Sequence, residues 1–414
     1  MKACWRHGVA TAVALALLLS LSGLAAGIAA QTHPTIAAKP GTRAKPLPTT
    51  PATPPSPGAV LDTTARYALI VEADTNTVLF DKNADARMSP ASMSKIMTAY
   101  VVFSMLKQGR VSLGDELPVS EKAWRLGGSK MFVGIGGRVK VDDLLKGMLI
   151  QSGNDACVVL AEGLAGSEDA FVGLMNDKAT EIGLKDSHFA NVTGLPDPNE
   201  WMTARDLVTL AQRMIHDFPE YYHYFSEKSF DFNNIDQGNR NPLLYKDIGA
   251  DGLKTGHTDE SGYSITGSLV RGDRRVILVL SGMASMRDRA SESERLAEWA
   301  FREFNDYKLF SAGEKVDDAE VWLGQAPKVP LTVGGDFVVT LPRRSRHDMK
   351  VTVDYDKPVP APVKQGDPIG KVTVTAPDMQ PIERPLFAGA AVAPIGTIGR
   401  MATLAGYLIW GNRH

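Results

Sequence analysis

"SPASMSKIMTAYVVFSMLKQGR", residues 89–110, decides how this chain is read. Between Lys95 and Lys107 every residue is apolar, a small hydroxyl residue or Tyr100. Such a run reads as a helix buried over most of its surface. Lys95 stands at its head, three residues after Ser92. Burying an ammonium without partners costs several kcal/mol or strips its proton, so a lysine kept there has a use. A helical spacing of three places Ser92 and Lys95 on one face, a turn apart. An amine whose pKa is lowered by burial can take a hydroxyl proton there. Pro90 suits a first helical turn, where the positive end of the helix favours an oxyanion. The same run carries a second pair, Ser104–Lys107, but Lys107 leads into Gln108, Gly109 and Arg110, a helix stop. A lysine in a last turn is ordinary dipole complementation. Ser104–Lys107 is therefore read as structural and Ser92–Lys95 as functional.

On either side of this helix the pattern is α/β. "RYALIVEADTNTVLFDKN", from Arg66, reads as two strands joined by a turn at Asp74–Asn76. "VDDLLKGMLI" (141–150) and "DACVVLAEGLAG" (155–166) are helical by spacing, and "SGYSITGSLV" and "RRVILVLSGM" flank an apparent hairpin at Arg271–Asp273. "SESERLAEWAFREF" (291–304) is an amphipathic helix. Strands at both ends with helices between them predict one α/β domain over 61–308. Beyond it, "VWLGQAPKVPLTVGGDFVVTLP", "MKVTVDYD" and "IGKVTVTAP" predict a small β-sandwich over 309–384.

The chain of 414 residues is long enough for these two domains and more. A net charge of −2, with no polybasic stripe, implies no general attraction to nucleic acid. Residues 1–30 combine Lys2 and Arg6, an apolar stretch and small residues, a secretory signal ending near Ala30 or else an uncleaved anchor. Either places the rest outside the cytoplasm. Cys4 leaves with the signal, so Cys157 is left alone and the fold must stand on its core. Residues 31–60, rich in proline, threonine and alanine, read as an extended tether.

Two further polar clusters accompany Ser92–Lys95. Ser152, Gly153 and Asn154 interrupt two apolar helical runs, where polar groups need partners; a plain helix–helix turn capped by Asn154 or Asp155 reads equally well. Lys254, Thr255 and Gly256 precede a strand pattern. Lysine and threonine can bind a carboxylate and glycine admits a close backbone, although a surface turn accounts for the triplet alone. Together, S-x-x-K, S-x-N and K-T-G in this order are the signature of penicillin-binding proteins and class A β-lactamases. No G-x-S-x-G, H-E-x-x-H, C-x-x-C or P-loop occurs, and no metal or cofactor is implied.

With these motifs, and with "ADTNTVLFDKNADARMSPASMSKIMT", "LIQSGNDACVVLAE", "NRNPLLY" and "DGLKTGHTDESGY", the chain resembles the low-molecular-mass penicillin-binding proteins, the D-alanyl-D-alanine carboxypeptidases. Gly153 replaces the middle aspartate of the second motif, a departure usual among such carboxypeptidases. The resemblance implies a β-lactamase/transpeptidase-like fold: an antiparallel sheet with helices on both faces, then a small all-β domain. It implies Ser92 as the nucleophile of an acyl-enzyme, Lys95 as its proton acceptor, Ser152 as a relay towards the leaving amine and Asn154 as a holder of the substrate backbone. Lys254 and Thr255, with Arg240 and Arg289, are implied at the terminal carboxylate. Gly256 completes the third motif, and the main-chain N–H of His257 is implied as the second oxyanion donor beside that of Ser92. The implied partners are peptidoglycan peptide stems and β-lactams.

Two other readings compete. A class A β-lactamase needs a glutamate for its deacylating water, usually in E-x-x-L-N, and none occurs between Asn154 and Lys254. A catalytically dead cell-wall scaffold would lack the complete motifs. The last segment, 385–414, carries a helical stripe of Ile395, Ile398, Ala402, Ala405 and Ile409 with Tyr407 and Trp410. A spanning helix would bury Arg400 at a cost of about 2.5–3.5 kcal/mol. A helix packed on the β-domain and a helix lying on the inner-membrane surface also fit the stripe, and the resemblance favours the interfacial one.

Overall fold

The computed structural model describes residues 61–377, 379–397, 399 and 401. The signal, the tether and most of the terminal helical stripe lie outside the described residues.

Two strand pairs far apart in sequence meet in one sheet. Tyr67–Glu72 pairs with Thr77–Lys82 on one side and with Arg274–Met283 on the other. Gly262–Arg271 and then Ala250–Thr258 complete five antiparallel strands, with Ala250–Thr258 at one edge. Val276 to Leu280 are buried without alternation, as a strand covered on both faces requires. Helices Met286–Glu303 and Ala204–Asp217 both pack on that strand. The first of these begins five residues before the expected Ser291, because Ser285 caps it by accepting from the Asp288 N–H.

Helix Lys95–Lys107 is buried from Lys95 to Leu106. It packs against Val141–Leu149, Asn154–Ala165, Glu168–Glu181 and Ala204–Asp217, which is why it can be apolar all round. A helix so enclosed cannot shift without opening the main core, so whatever its first residues carry is rigidly placed.

The second domain is all-β, as expected. Phe304–Phe310 follows the Met286–Glu303 helix without a loop and pairs with Phe337–Pro342. A six-stranded sheet runs Lys350–Tyr355, Pro368–Thr375, Ile382–Ala388, Lys328–Val333, Lys315–Trp322 and Val359–Pro360, the last pairing being parallel. Val329, Leu331, Phe337, Val339, Val372 and Leu386 fill its core. Pairing, not composition, sets the limits. Strand Phe304–Phe310 crosses the expected boundary at 308, and Ile382–Ala388 crosses the one at 384. Val392 is buried and bridges Val363, so residues 385–392 belong to this domain and not to the terminal segment.

Candidate active site

Ser92 does not sit on the α-helix itself. It lies in a 3₁₀ turn, Ala91–Ser94, that runs directly into helix Lys95–Lys107. Ala91 has φ 49°, a left-handed conformation that costs a non-glycine residue on the order of 1–3 kcal/mol. In a 3₁₀ turn residues i and i+3 eclipse, so the Ser92–Lys95 pairing survives the tighter winding. Lys95 Nζ lies 3.0 Å from Ser92 Oγ, 2.8 Å from Asn154 Oδ1 and 2.5 Å from the Thr193 carbonyl oxygen. Lys95 is 0% exposed. Burial pushes its pKa down from the ordinary lysine range, with Arg240 adding to the effect and Cys157, Glu200 and Asp155 opposing it.

Asn154 and Thr193 fix the contacts around Lys95. Asn154 donates its Nδ2 to the Gly127 carbonyl at 3.0 Å, which turns its Oδ1 to Lys95. Oδ1 and the Thr193 carbonyl can only accept. With Ser92 Oγ, to which Nζ also donates, they surround the amine with three hydrogen-bond partners.

Ser152 has φ 67° and is 2% exposed, and its hydroxyl has no hydrogen-bond partner. Two non-glycine residues in the left-handed region, Ala91 and Ser152, thus flank the buried lysine's partners. Helix Asn154–Ala165 begins at the third member of the motif. Its second residue, Asp155, is fully buried. The carboxylate accepts from the N–H groups of Met131 (2.9 Å), Phe132 (2.9 Å) and Val133 (3.2 Å). It ties a strap to the helix, and the strap supplies the Gly127 carbonyl to Asn154.

Lys254, Thr255, Gly256 and His257 lie on the edge strand Ala250–Thr258. A Cβ on Gly256 would stand 3.0 Å from the Pro90 carbonyl oxygen and 3.1 Å from Ala91 Cβ, so glycine lets this strand lie against the nucleophile turn. An edge strand leaves alternate backbone groups unpaired by its sheet, which suits it to an extended peptide. Lys254 is 2% exposed, and its Nζ donates to the Thr255 carbonyl at 3.2 Å. Burial, then the charges of Lys95 and Arg240, hold its pKa well below that of a free lysine. The exposed His257 ring stacks on Tyr263, centroids 3.9 Å apart.

Arg289, from helix Met286–Glu303, is buried with its guanidinium 5.7 Å from the Tyr263 ring and its Nε unpartnered. It donates to the Arg240 carbonyl at 3.4 Å, and burial lowers its pKa to about 10. Arg240 donates to Ser129 Oγ at 2.6 Å, and burial lowers its pKa too. Arg240 and Arg289 lower the pKa of Lys254, and Arg240 lowers that of Arg289. Three such cations gathered away from carboxylates make a site that an anion would relieve. The structure therefore sets Ser92 and Asn154 against Lys95, with Ser152 two residues before Asn154, brings the strand of Lys254, Thr255, Gly256 and His257 against the turn of Ser92, and links Arg289 to Arg240.

The profile of the family described as D-alanyl-D-alanine carboxypeptidase matches residues 50–285. The chain belongs to that family, peptidase S11. A second profile, the C-terminal domain of penicillin-binding protein 5, matches residues 304–394. D-alanyl-D-alanine carboxypeptidase DacC of Escherichia coli is 39% identical over 81% of this chain and 86% of its own length. The crystal structure of penicillin binding protein 5 from Haemophilus influenzae superposes with a TM-score of 0.73 at 36% identity, covering 83% of this chain and all of that one. Penicillin-binding protein D2 from Listeria monocytogenes, solved with bound ampicillin, has a TM-score of 0.54 at 30% identity over 58% of this chain and 99% of its own.

Within this S11 site, sequence reasoning missed three groups behind the lysine. The Thr193 carbonyl accepts from Lys95, and a main-chain oxygen leaves no mark in a sequence. Asn191 and Glu200 hold the turn that carries it. Both lie in "NVTGLPDPNEW", a polar loop without periodicity. Glu200 is 6% exposed, and burial raises its pKa to about 7 against the hydrogen bonds it accepts.

Proposed function

We propose that this S11 enzyme removes the terminal D-alanine of peptidoglycan stem peptides through an ester on Ser92. The 3.0 Å contact of the buried Lys95 amine, whose pKa burial lowers, with Ser92 Oγ carries the reading. Ser92 Oγ attacks the carbonyl carbon of the penultimate residue while its proton passes to Lys95 Nζ. The main-chain N–H groups of Ser92 and His257 hold the oxyanion. Collapse breaks the peptide bond, and the departing D-alanine amine takes a proton by way of Ser152, whose hydroxyl has no competing partner. Water then hydrolyses the ester. Asn154 and the edge strand hold the peptide backbone, and Lys254, Thr255, Arg240 and Arg289 hold the terminal carboxylate. Penicillin follows the first half of this path, with its ring amide in place of the peptide bond and its carboxylate on the same cations. The ampicillin-bound relative supports that reading. Incubation with a muropeptide ending in D-Ala-D-Ala, followed by mass analysis, should show loss of one alanine. Unchanged muropeptide with full penicillin labelling would point to another acceptor reaction of the same acyl-enzyme.

The enzyme is further proposed to work on the periplasmic side of the inner membrane, held there by the terminal stripe as an interfacial helix. The stripe supports this, since its aromatic residues suit a headgroup layer. Among the described residues no helix is long and apolar enough to cross a membrane. Because Ile382–Ala388 is an interior strand of the β-domain, a truncation should fall after Ile395. The truncated protein should be soluble and active on a small D-Ala-D-Ala peptide, and the mature full chain should sediment with membranes through a salt wash. A full chain that stays in the supernatant would sink the anchor.

A further inference from the structure

Glu200 is a buried carboxylate that no catalytic step above uses. One oxygen, Oε1, accepts from the Ser94 hydroxyl at 2.5 Å, in the turn that carries Ser92. The other, Oε2, accepts from Asn191 Nδ2 at 2.7 Å, the Asn191 N–H at 3.2 Å and the Ala190 N–H at 3.4 Å. Asn191 Oδ1 in turn accepts from the N–H groups of Thr193 (3.0 Å), Gly194 (2.8 Å) and Leu195 (3.2 Å) and from the Thr193 hydroxyl (2.7 Å). That turn presents the Thr193 carbonyl to Lys95. The two turns touch: a Cβ on Gly194 would fall 1.8 Å from the Ala91 carbonyl oxygen. One carboxylate thus ties the nucleophile turn, on one oxygen, to the turn carrying the lysine's acceptor, on the other. Both oxygens are occupied by these donors, so Glu200 is not placed to activate a deacylating water.

We propose that Glu200 is a positioning residue that holds these two turns in register and whose negative charge favours the proton on Lys95. The inference rests on Ser92 as nucleophile and Lys95 as its base. Its charge acts on Lys95 together with groups from the neighbouring elements. Asp155 and Cys157 lie on helix Asn154–Ala165, Arg240 and Lys254 form the opposite wall, and Glu168 accepts from the Val192 N–H of the same loop at 3.4 Å. Burial also keeps Glu200 ionised only above about pH 7, so its charge is present where the enzyme would work at neutral to alkaline pH.

Glutamine separates position from charge. In Glu200→Gln the amide oxygen can accept from Asn191 and the amide nitrogen can donate to Ser94, so both ties are kept while the charge is lost. In Glu200→Ala both ties are lost. The test is the rate of acylation by a fluorescent penicillin against pH, on the full mature chain, with melting temperature measured in parallel and Ser92→Ala as control. Glu200→Gln should keep its plateau rate within about fivefold and move the acid limb to lower pH by roughly half a unit to one unit, the scale of a neighbouring charge in a protein interior. Glu200→Ala should lose on the order of a hundredfold in plateau rate, with glutamine rescuing most of it. An unmoved acid limb in Glu200→Gln, or a wild-type plateau in Glu200→Ala, overturns the proposal. Labelling that persists in Ser92→Ala would instead overturn the underlying assignment of the nucleophile.

Discussion

Two Ser-x-x-Lys pairs lie twelve residues apart, one where a 3₁₀ turn enters a helix and one at that helix's end, and they have opposite fates. Lys95 is wholly enclosed, and its amine meets Ser92, Asn154 and the Thr193 carbonyl. Lys107 reaches out to the Asp217 carbonyl at 2.6 Å and towards Glu220 at 3.8 Å, with about half its side chain in water. Ser104 accepts from Gln108 and serves the end of its own helix. Equal spacing gives equal proximity along the helix and nothing more. At the first pair the surroundings remove water, supply two obligate acceptors and set the amine against a hydroxyl. At the second, the surroundings supply a carbonyl, a carboxylate and solvent.

The sharpest way to break this comparison is to exchange the serines for alanine. Ser92→Ala should lose penicillin labelling and D-alanine release, a fall on the order of 10⁴-fold or more for a nucleophile. Ser104→Ala should retain both. Full labelling of the Ser92 variant would falsify the distinction. Next in size is Lys254→Ala, which removes a cation from the carboxylate wall. A charge-assisted contact is worth roughly 1.5–3 kcal/mol, a ten- to hundredfold loss on substrates with a free carboxylate. If a substrate's amide suffers as much as its carboxylate, the assigned role is wrong.

Smaller in amplitude but more specific is the response to pH. Lys95 must be neutral to take the Ser92 proton, and its pKa is lowered by burial. Acylation should therefore rise with pH, about tenfold per unit below the Lys95 pKa, and level off above it, below the ordinary lysine range. A limb that appears only near the pKa of a free lysine would show that burial does not do this. The smallest effect belongs to Lys107→Gln. It removes an exposed contact, so unfolding free energy should change by less than about 1 kcal/mol, with acylation unaltered. A large loss of activity there would erase the contrast between the two pairs.

Much of this was legible before any coordinates. The unbroken apolar run after Lys95 forces a buried helix, and the strand patterns at 66–83 and 261–283 are strong because period-two alternation and continuous apolar runs are local properties. The helices Glu168–Glu181 and Ala204–Asp217 were not read, since the first is nearly as polar as apolar and the second follows a long irregular loop. The domain limits were missed by a few residues because strand pairing, a long-range property, sets them. Asp155 was read as a possible cap; its carboxylate instead gathers N–H groups more than twenty residues upstream.

The sequence by itself determined the chemistry available: a serine with a lysine one turn away, a polar S-G-N interruption and a K-T-G strand. Those are identities and short spacings, and covalent connection fixes them. Only the tertiary structure decided what the buried lysine meets. Its acceptors stand 59 and 98 residues away in the chain, and one is a main-chain carbonyl that any residue could supply. The carboxylate that ties the two turns lies 106 residues from Ser94. Burial and convergence of charge depend on packing between distant segments, and packing is written into no single stretch of sequence.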